Sequence, residues 1–246
     1  MNILLCNDDG IESLGLISLA KQLSKNNSLL VVAPKYNCSA MSHSLTIEKE
    51  LILTKENIKG CKAYSITGTP VDCVKFAFLH FNTFNADIVV AGLNNAHNIG
   101  SDILYSGTVS ICYEASFFNK ISFAFSLYNR VVKDYDKYAV LAEKIINFLL
   151  PYSNNGDIWN INFPDENLEI KGAKITSLGK NLYSDRYEKI GENKYKLTGE
   201  VISHNENLED CDIEWLKKGY ITITPLVYDK TNFTKVEKVK NLCIKL

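Results

Sequence analysis

With 246 residues, the chain is long enough for one α/β domain with a sizeable core or for two small domains, and its 46% apolar and 22% charged content is ordinary for a globular protein. A formal net charge of −1 gives no overall positive field to draw it to a polyanion, so no stable nucleic-acid complex is expected. No apolar run approaches the roughly 20 residues of a membrane-spanning helix, and no membrane partner is expected.

Through about residue 165 short apolar runs alternate with helical patterns, the signature of βα units and a mainly parallel sheet. Ile3 to Cys6 reads as a buried strand entered directly from Met1, with acidic residues following where a signal peptide would stay apolar. Leu14, Ile17, Ala20 and Leu23 follow at helical spacing until Asn26-Asn27, and Leu29 to Ala33 is a second strand ended by Pro34. Ala63 to Thr67 is a third. Val71, Val74, Phe78 and Phe81 make a helical stripe, and Ile88 to Ala91 a strand. A long polar segment, Gly92 to Gly107, then leads to a helix from about Thr108 to Phe118. The strand Ile121 to Phe125, the helix Tyr138 to Leu150 and the strand Ile158 to Phe163, closed by Pro164, complete the pattern.

Beyond residue 165 the periodicity changes. Residues 181–210 are polar and tyrosine-bearing, which predicts a projecting hairpin or long loop. Tyr220 to Thr224 alternates as a strand, and Phe233, Val236 and Val239 predict a short terminal helix. The expected organisation is a single unit over residues 1–246, with a core over 1–165 and a carboxyl-terminal extension over 166–246 suited to subunit contact. Seven cysteines, odd in number and never in Cys-x-x-Cys spacing, read as small buried hydrophobes in a reducing compartment, so a cytoplasmic protein is expected.

Four constellations carry candidate chemistry. Asn7-Asp8-Asp9-Gly10 follows the first strand, where ligands sit in open α/β sheets. Its adjacent carboxylates repel each other, and a hard divalent cation relieves that; a helix cap on a tight turn accounts for one Asp equally well. The loop Pro34 to Ser44 offers hydroxyl and amide groups for metal or phosphate, although an ordinary polar loop has the same composition, and His43 reads more readily as a hydrogen-bonded histidine than as a catalytic one. Thr69-Pro70-Val71-Asp72 resembles a capping box with Asp in the Glu position. The segment Gly92 to Asp102, followed by Tyr105-Ser106-Gly107-Thr108, is the most informative, because long loops in compact domains are usually functional. Asparagine oxygens complement carboxylates without adding charge, and Ser106-Gly107-Thr108 opens a helix whose free N–H groups favour a phosphate dianion. A plain Ser/Thr cap on an irregular loop is the structural alternative.

Asn7 to Gly10, Val32-Ala33-Pro34 with Asn37 and Ser39, and Gly68-Thr69-Pro70 with Asp72 recur in order with Gly92-x-Asn94, Asn98, Gly100 and Asp102. Tyr105 to Val109, Asn160 to Pro164, and Thr224-Pro225-Leu226 with Asp229 and Thr231 continue the series. Together they resemble the SurE (survival protein E) family of 5′/3′-nucleotidases. The resemblance implies a Rossmann-like core with a mainly parallel sheet, and a β-rich carboxyl-terminal extension exchanged between subunits of a homodimer or homotetramer. It also implies one divalent cation per subunit held by Asp8, Asp9, Ser39 and Asn94, and a phosphate surrounded by Asn98, Ser106, Gly107 and Thr108. An all-oxygen site suits Mg²⁺ or Mn²⁺ better than zinc. The implied activity is metal-dependent hydrolysis of nucleoside 5′-monophosphates, with 3′ esters left open and Asp8, Asp9 and Asn98 as catalytic residues.

Against the family pattern, Lys35 and Tyr36 replace an acid and an arginine, and Ala40 and Ala96 stand where glycine is usual, narrowing close backbone approach. A haloacid-dehalogenase-like phosphatase would need Asp-x-Asp, whereas Asp8 and Asp9 are adjacent. The other alternative is a catalytically silent metal- or nucleotide-binding module.

Overall fold

The computed structural model describes residues 1–204 and 210–240. Strand β1 (Asn2–Cys6) lies inside a nine-stranded sheet, with Ile3 and Leu5 entering one apolar layer and Leu4 and Cys6 the other. Because both faces are covered, the strand is apolar from Ile3 onward instead of alternating with polar residues. Helix α1 (Leu14–Leu23) starts at Ser13, whose hydroxyl accepts from the Leu16 N–H, and returns the chain to β2 (Ser28–Pro34), parallel to β1. An edge strand, β3 (Leu53–Glu56), pairs antiparallel with β4 (Lys62–Ile66). No residue of β3 is buried, so it has no apolar stripe for sequence periodicity to detect.

Helix α2 (Pro70–His80) opens with the expected capping box: the Asp72 N–H donates to Thr69 Oγ1 at 3.2 Å, and the Thr69 N–H to Asp72 Oδ2 at 2.8 Å. There follow β5 (Ile88–Asn94), α3 (Gly107–Phe117), β6 (Ile121–Ser126), α4 (Tyr135–Leu149) and β7 (Ile158–Asn162). The order β4-β2-β1-β5-β6-β7 is parallel throughout, and the direction of winding reverses between β1 and β5. Such a reversal opens a crevice at the carboxyl ends of the two strands. Helices α1 and α4 pack on one face of the sheet, α2 and α3 on the other. Strand β5 runs on through buried Gly92 and Leu93 to Asn94, so the polar segment starts later than its composition indicates, and it contains a 3₁₀ turn at Gly100–Leu104.

The carboxyl-terminal part contains β8 (Ala173–Ile175), β9 (Asn181–Tyr183), β10 (Arg186–Gly191), β11 (Lys194–Thr198), β12 (Val201–His204), α5 (Asp212–Lys217), β13 (Ile221–Leu226) and α6 (Phe233–Val239). Strand β13 enters the main sheet antiparallel to β7 and parallel to β8, so this part of the chain also builds the core. Two antiparallel ladders, β9 with β12 and β10 with β11, stand outside the sheet in the region where a hairpin is expected. Of the 181–210 stretch, residues 205–209 lie outside the described residues. Cys6, Cys73, Cys112 and Cys211 are buried and unpaired, Cys38 and Cys61 are unpaired and half-buried, and Cys243 lies outside the described residues. Among the described residues no helix is long and apolar enough to cross a membrane.

Candidate active site

The turn after β1 is built by Asn7, which is fully buried and donates from Nδ2 to Gly10 O and Ser13 Oγ, each at 2.8 Å. It delivers two carboxylates to the crevice. Asp8 faces the start of α3, where Oδ1 accepts from the Thr108 hydroxyl at 2.6 Å and Oδ2 from the Thr108 N–H at 3.2 Å. Gly107 backs directly onto it: a Cβ there would lie 2.7 Å from Asp8 Cβ, so no larger residue fits without displacing the carboxylate. Asp9 accepts from the Asn95 N–H at 3.1 Å and from Asn37 Nδ2 at 3.4 Å.

The loop after β2 is tied to the same turn. The Cys38 N–H donates to Asp8 O at 2.7 Å, and the Ser39 N–H to Asn37 Oδ1 at 2.9 Å, a local turn that sets Ser39 beside the carboxylates. At the end of β5, Asn94 Nδ2 donates to Ala96 O at 2.6 Å, leaving Oδ1 for a ligand. Asn98 is clamped from β6 and β7: its N–H donates to Asn162 Oδ1 at 2.7 Å and its Nδ2 to Ser126 Oγ at 2.8 Å. Its carbonyl accepts from Asn160 and Asn162 at 2.8 and 3.0 Å.

Asp8, Asp9, Ser39, Asn94, Asn98 and Ser106 all line one open cavity of about 450 Å³. Of the other expected phosphate residues, Gly107 and Thr108 lie behind this wall. Thr108 is fully buried and committed to Asp8, while Ser106 caps α3 by accepting from the Val109 N–H at 3.0 Å. Sequence reasoning missed Arg130, which also lines the cavity, and the roles of Asn160 and Asn162. Their i, i+2 spacing on β7 already placed both amides on one face of the strand.

Burial raises Asp8 to about 6 against the stabilising bond from the Thr108 hydroxyl, and the charge of Asp9 adds to the rise. Burial likewise raises Asp9 against the Asn95 N–H. Neither carboxylate pairs with a basic side chain among the described residues. One buried and one half-buried carboxylate lacking a counter-charge are what a cation would neutralise. Among the described residues no three His, Cys, Asp or Glu side chains form a metal-holding group, so a cation here would need neutral oxygens beside the two carboxylates. Asp8, Asp9, Ser39 and Asn94 supply hard oxygen donors and fit a Mg²⁺- or Mn²⁺-like ion.

The two alanine departures differ in effect. Ala40 takes a left-handed φ of 60°, where a Cβ is strained by roughly 1–2 kcal/mol. Ala96 is exposed and outside the left-handed region, so it carries no such strain.

The family model described as Survival protein SurE matches residues 3–185. The chain belongs to the SurE family. A 5′-nucleotidase SurE from Clostridium botulinum is 38% identical over 252 residues, covering 98% of this chain and 99% of that protein. The 5′-nucleotidase SurE of Clostridium tetani is 40% identical over 252 residues with the same coverage. The crystal structure of the SurE protein from Aquifex aeolicus, 32% identical, superposes with a TM-score of 0.82 and covers 98% of both chains. The likeness to these SurE proteins therefore reaches beyond residue 185, through the carboxyl-terminal strands that complete the sheet.

Proposed function

We propose that the chain is a metal-dependent 5′-nucleotidase that hydrolyses nucleoside monophosphates to nucleoside and phosphate. The observation that carries this reading is the convergence of Asp8, Asp9, Ser39, Asn94, Asn98 and Ser106 on one cavity at the reversal point of the sheet. Asp8 and Asp9 hold one Mg²⁺ or Mn²⁺ ion with Ser39 and Asn94. When bound, that ion supplies Lewis-acid charge to a phosphoryl oxygen. The Ser106 hydroxyl at the cavity wall receives the phosphate dianion, with the positive end of α3 at Gly107 and Thr108 behind it. Asn98 gives one amide N–H to Ser126, and its second is free to stabilise charge developing on the phosphoryl oxygens. Thr108 gives both its N–H and its hydroxyl to Asp8 and so holds that carboxylate in place. Water is the nucleophile, since two adjacent carboxylates committed to a cation are poor nucleophiles themselves.

The active assembly is a homodimer or homotetramer. Tyr187 and Leu197 pair across the β10–β11 ladder and are exposed, on a two-stranded element that is marginally stable by itself. The unpaired cysteines suit a cytoplasmic location.

Phosphate release from 5′-AMP, 5′-GMP and 3′-AMP, measured after EDTA stripping and readdition of Mg²⁺ or Mn²⁺, tests the reading. Metal-dependent turnover of the 5′ esters is expected, with no phosphoenzyme on acid quench. Asp8→Asn and Asp9→Asn each lose about 10²-fold or more in kcat without a change in circular dichroism. Absence of turnover on every nucleotide with either metal overturns it.

A further inference from the structure

The chain spends its arginines sparingly: among 27 basic residues only Arg130 and Arg186 are arginine. Arg186 pairs with Glu188 at 2.9 Å on the exposed hairpin. Arg130 lines the cavity as its one basic residue and takes part in none of the ion pairs among the described residues. The loop that carries it, between β6 and α4, is fastened on both sides. The Glu166 N–H donates to Asn129 Oδ1 at 3.1 Å, and the Lys133 N–H to Glu166 Oε2 at 3.1 Å. Buried Val132 and the Tyr135 hydroxyl, which donates to Asn95 Oδ1 at 2.9 Å, anchor the rest. The guanidinium is therefore presented from a fixed base.

The charge pattern says what it meets. The wall carries the carboxylates of Asp8, Asp9 and Asp102. A divalent cation would balance Asp8 and Asp9, and Arg130 is the one basic side chain in the lining to meet a phosphate dianion. Without Arg130 the dianion would meet no cationic side chain in that lining. The loop after β2 supplies no basic side chain to the cavity: Tyr36 stands where the family pattern has arginine, and Lys35 lies over the Tyr36 ring at 5.8 Å.

We propose, on the phosphomonoesterase reading above, that Arg130 is a substrate-binding residue that grips the phosphate group across the cavity from the start of α3. Its planar fork binds two phosphate oxygens at once, which a lysine cannot reproduce.

Binding of inorganic phosphate and of AMP to wild type, Arg130→Ala and Arg130→Lys, measured by titration calorimetry with Mg²⁺ present, tests this directly. Arg130→Ala weakens phosphate by about tenfold or more and Arg130→Lys by roughly threefold, with AMP weakened in parallel. In steady-state assays KM rises more than kcat falls, while Mg²⁺ affinity and circular dichroism stay as in wild type. Unchanged phosphate affinity in Arg130→Ala, weakening for AMP alone, or a wild type that binds no phosphate overturns the proposal. Arg130-dependent phosphate binding without nucleotide hydrolysis would remove the nucleotidase reading and leave Arg130 in place. Hydrolysis of AMP with an indifferent Arg130→Ala would do the reverse.

Discussion

Burial pushes the Asp8 carboxyl from its ordinary value of 3.8 up to about 6, opposing the Thr108 hydroxyl and reinforced by the neighbouring charge of Asp9. A carboxyl whose folded pKa lies above its unfolded one stabilises the fold below about pH 4 and loses that contribution as pH rises through about 6. Two pH units correspond to about 3 kcal/mol. In EDTA, the thermal midpoint of wild type should therefore fall below that of Asp8→Asn between pH 4 and 7. Saturating Mg²⁺ should remove the difference, because only the ionised carboxylate binds the ion. Calorimetric scans at each pH check this, and parallel profiles for the two proteins in EDTA would refute it. A metal site that destabilises the empty protein is the expected trade of stability for function. At this scale the sequence was informative where chemistry is unusual for its position, as with adjacent acids after a buried strand. It was silent on Thr108, because a helix start that binds phosphate and one that binds a carboxylate are written with the same residues.

The polar segment after β5 is held as an element by a carboxylate distant in sequence. Asp212, fully buried at the start of α5, accepts from the Gly100 N–H and the Gly179 N–H, each at 2.8 Å, and from the Ile213 N–H at 2.9 Å. Asp212→Ala leaves these buried donors unpaired, at about 1–3 kcal/mol each. Urea unfolding should show a loss of at least about 2 kcal/mol, and nucleotide KM should rise as the Asn98–Asp102 segment loosens. Asp212→Asn, which keeps one acceptor oxygen, should recover part of both. A variant as stable as wild type would show that the segment is held elsewhere. Parallel strands and covering helices were legible because burial on both faces imposes continuous apolar runs and helical stripes. Strand β3 and this clamp were not, since an exposed edge has no pattern and a long-range hydrogen bond leaves none.

For the whole molecule, the two ladders of residues 181–204 project from a sheet that β8 and β13 finish without them. Light scattering should find a dimer or larger species, and deletion of residues 181–204 should yield a monomer that keeps the sheet. A stable monomer of the intact chain at micromolar concentration would remove the assembly from the account. The base of this arm is narrow: Ser177 and Cys211 are bridged, with the Ser177 N–H donating to Asp210 O at 3.2 Å and the Asp212 N–H to Ser177 O at 2.8 Å. In topological terms the arm leaves and rejoins the body at this bridge, and it meets the body again where the Tyr183 hydroxyl donates to Asp102. Neither ladder is hydrogen-bonded to the main sheet, so on the proposed assembly the arm would change host with every strand pairing of that sheet kept. Folding and the proposed assembly would then separate in time. On that assembly a unimolecular step would close the β7–β13 edge first, and a concentration-dependent step would follow in which the arms choose their partner.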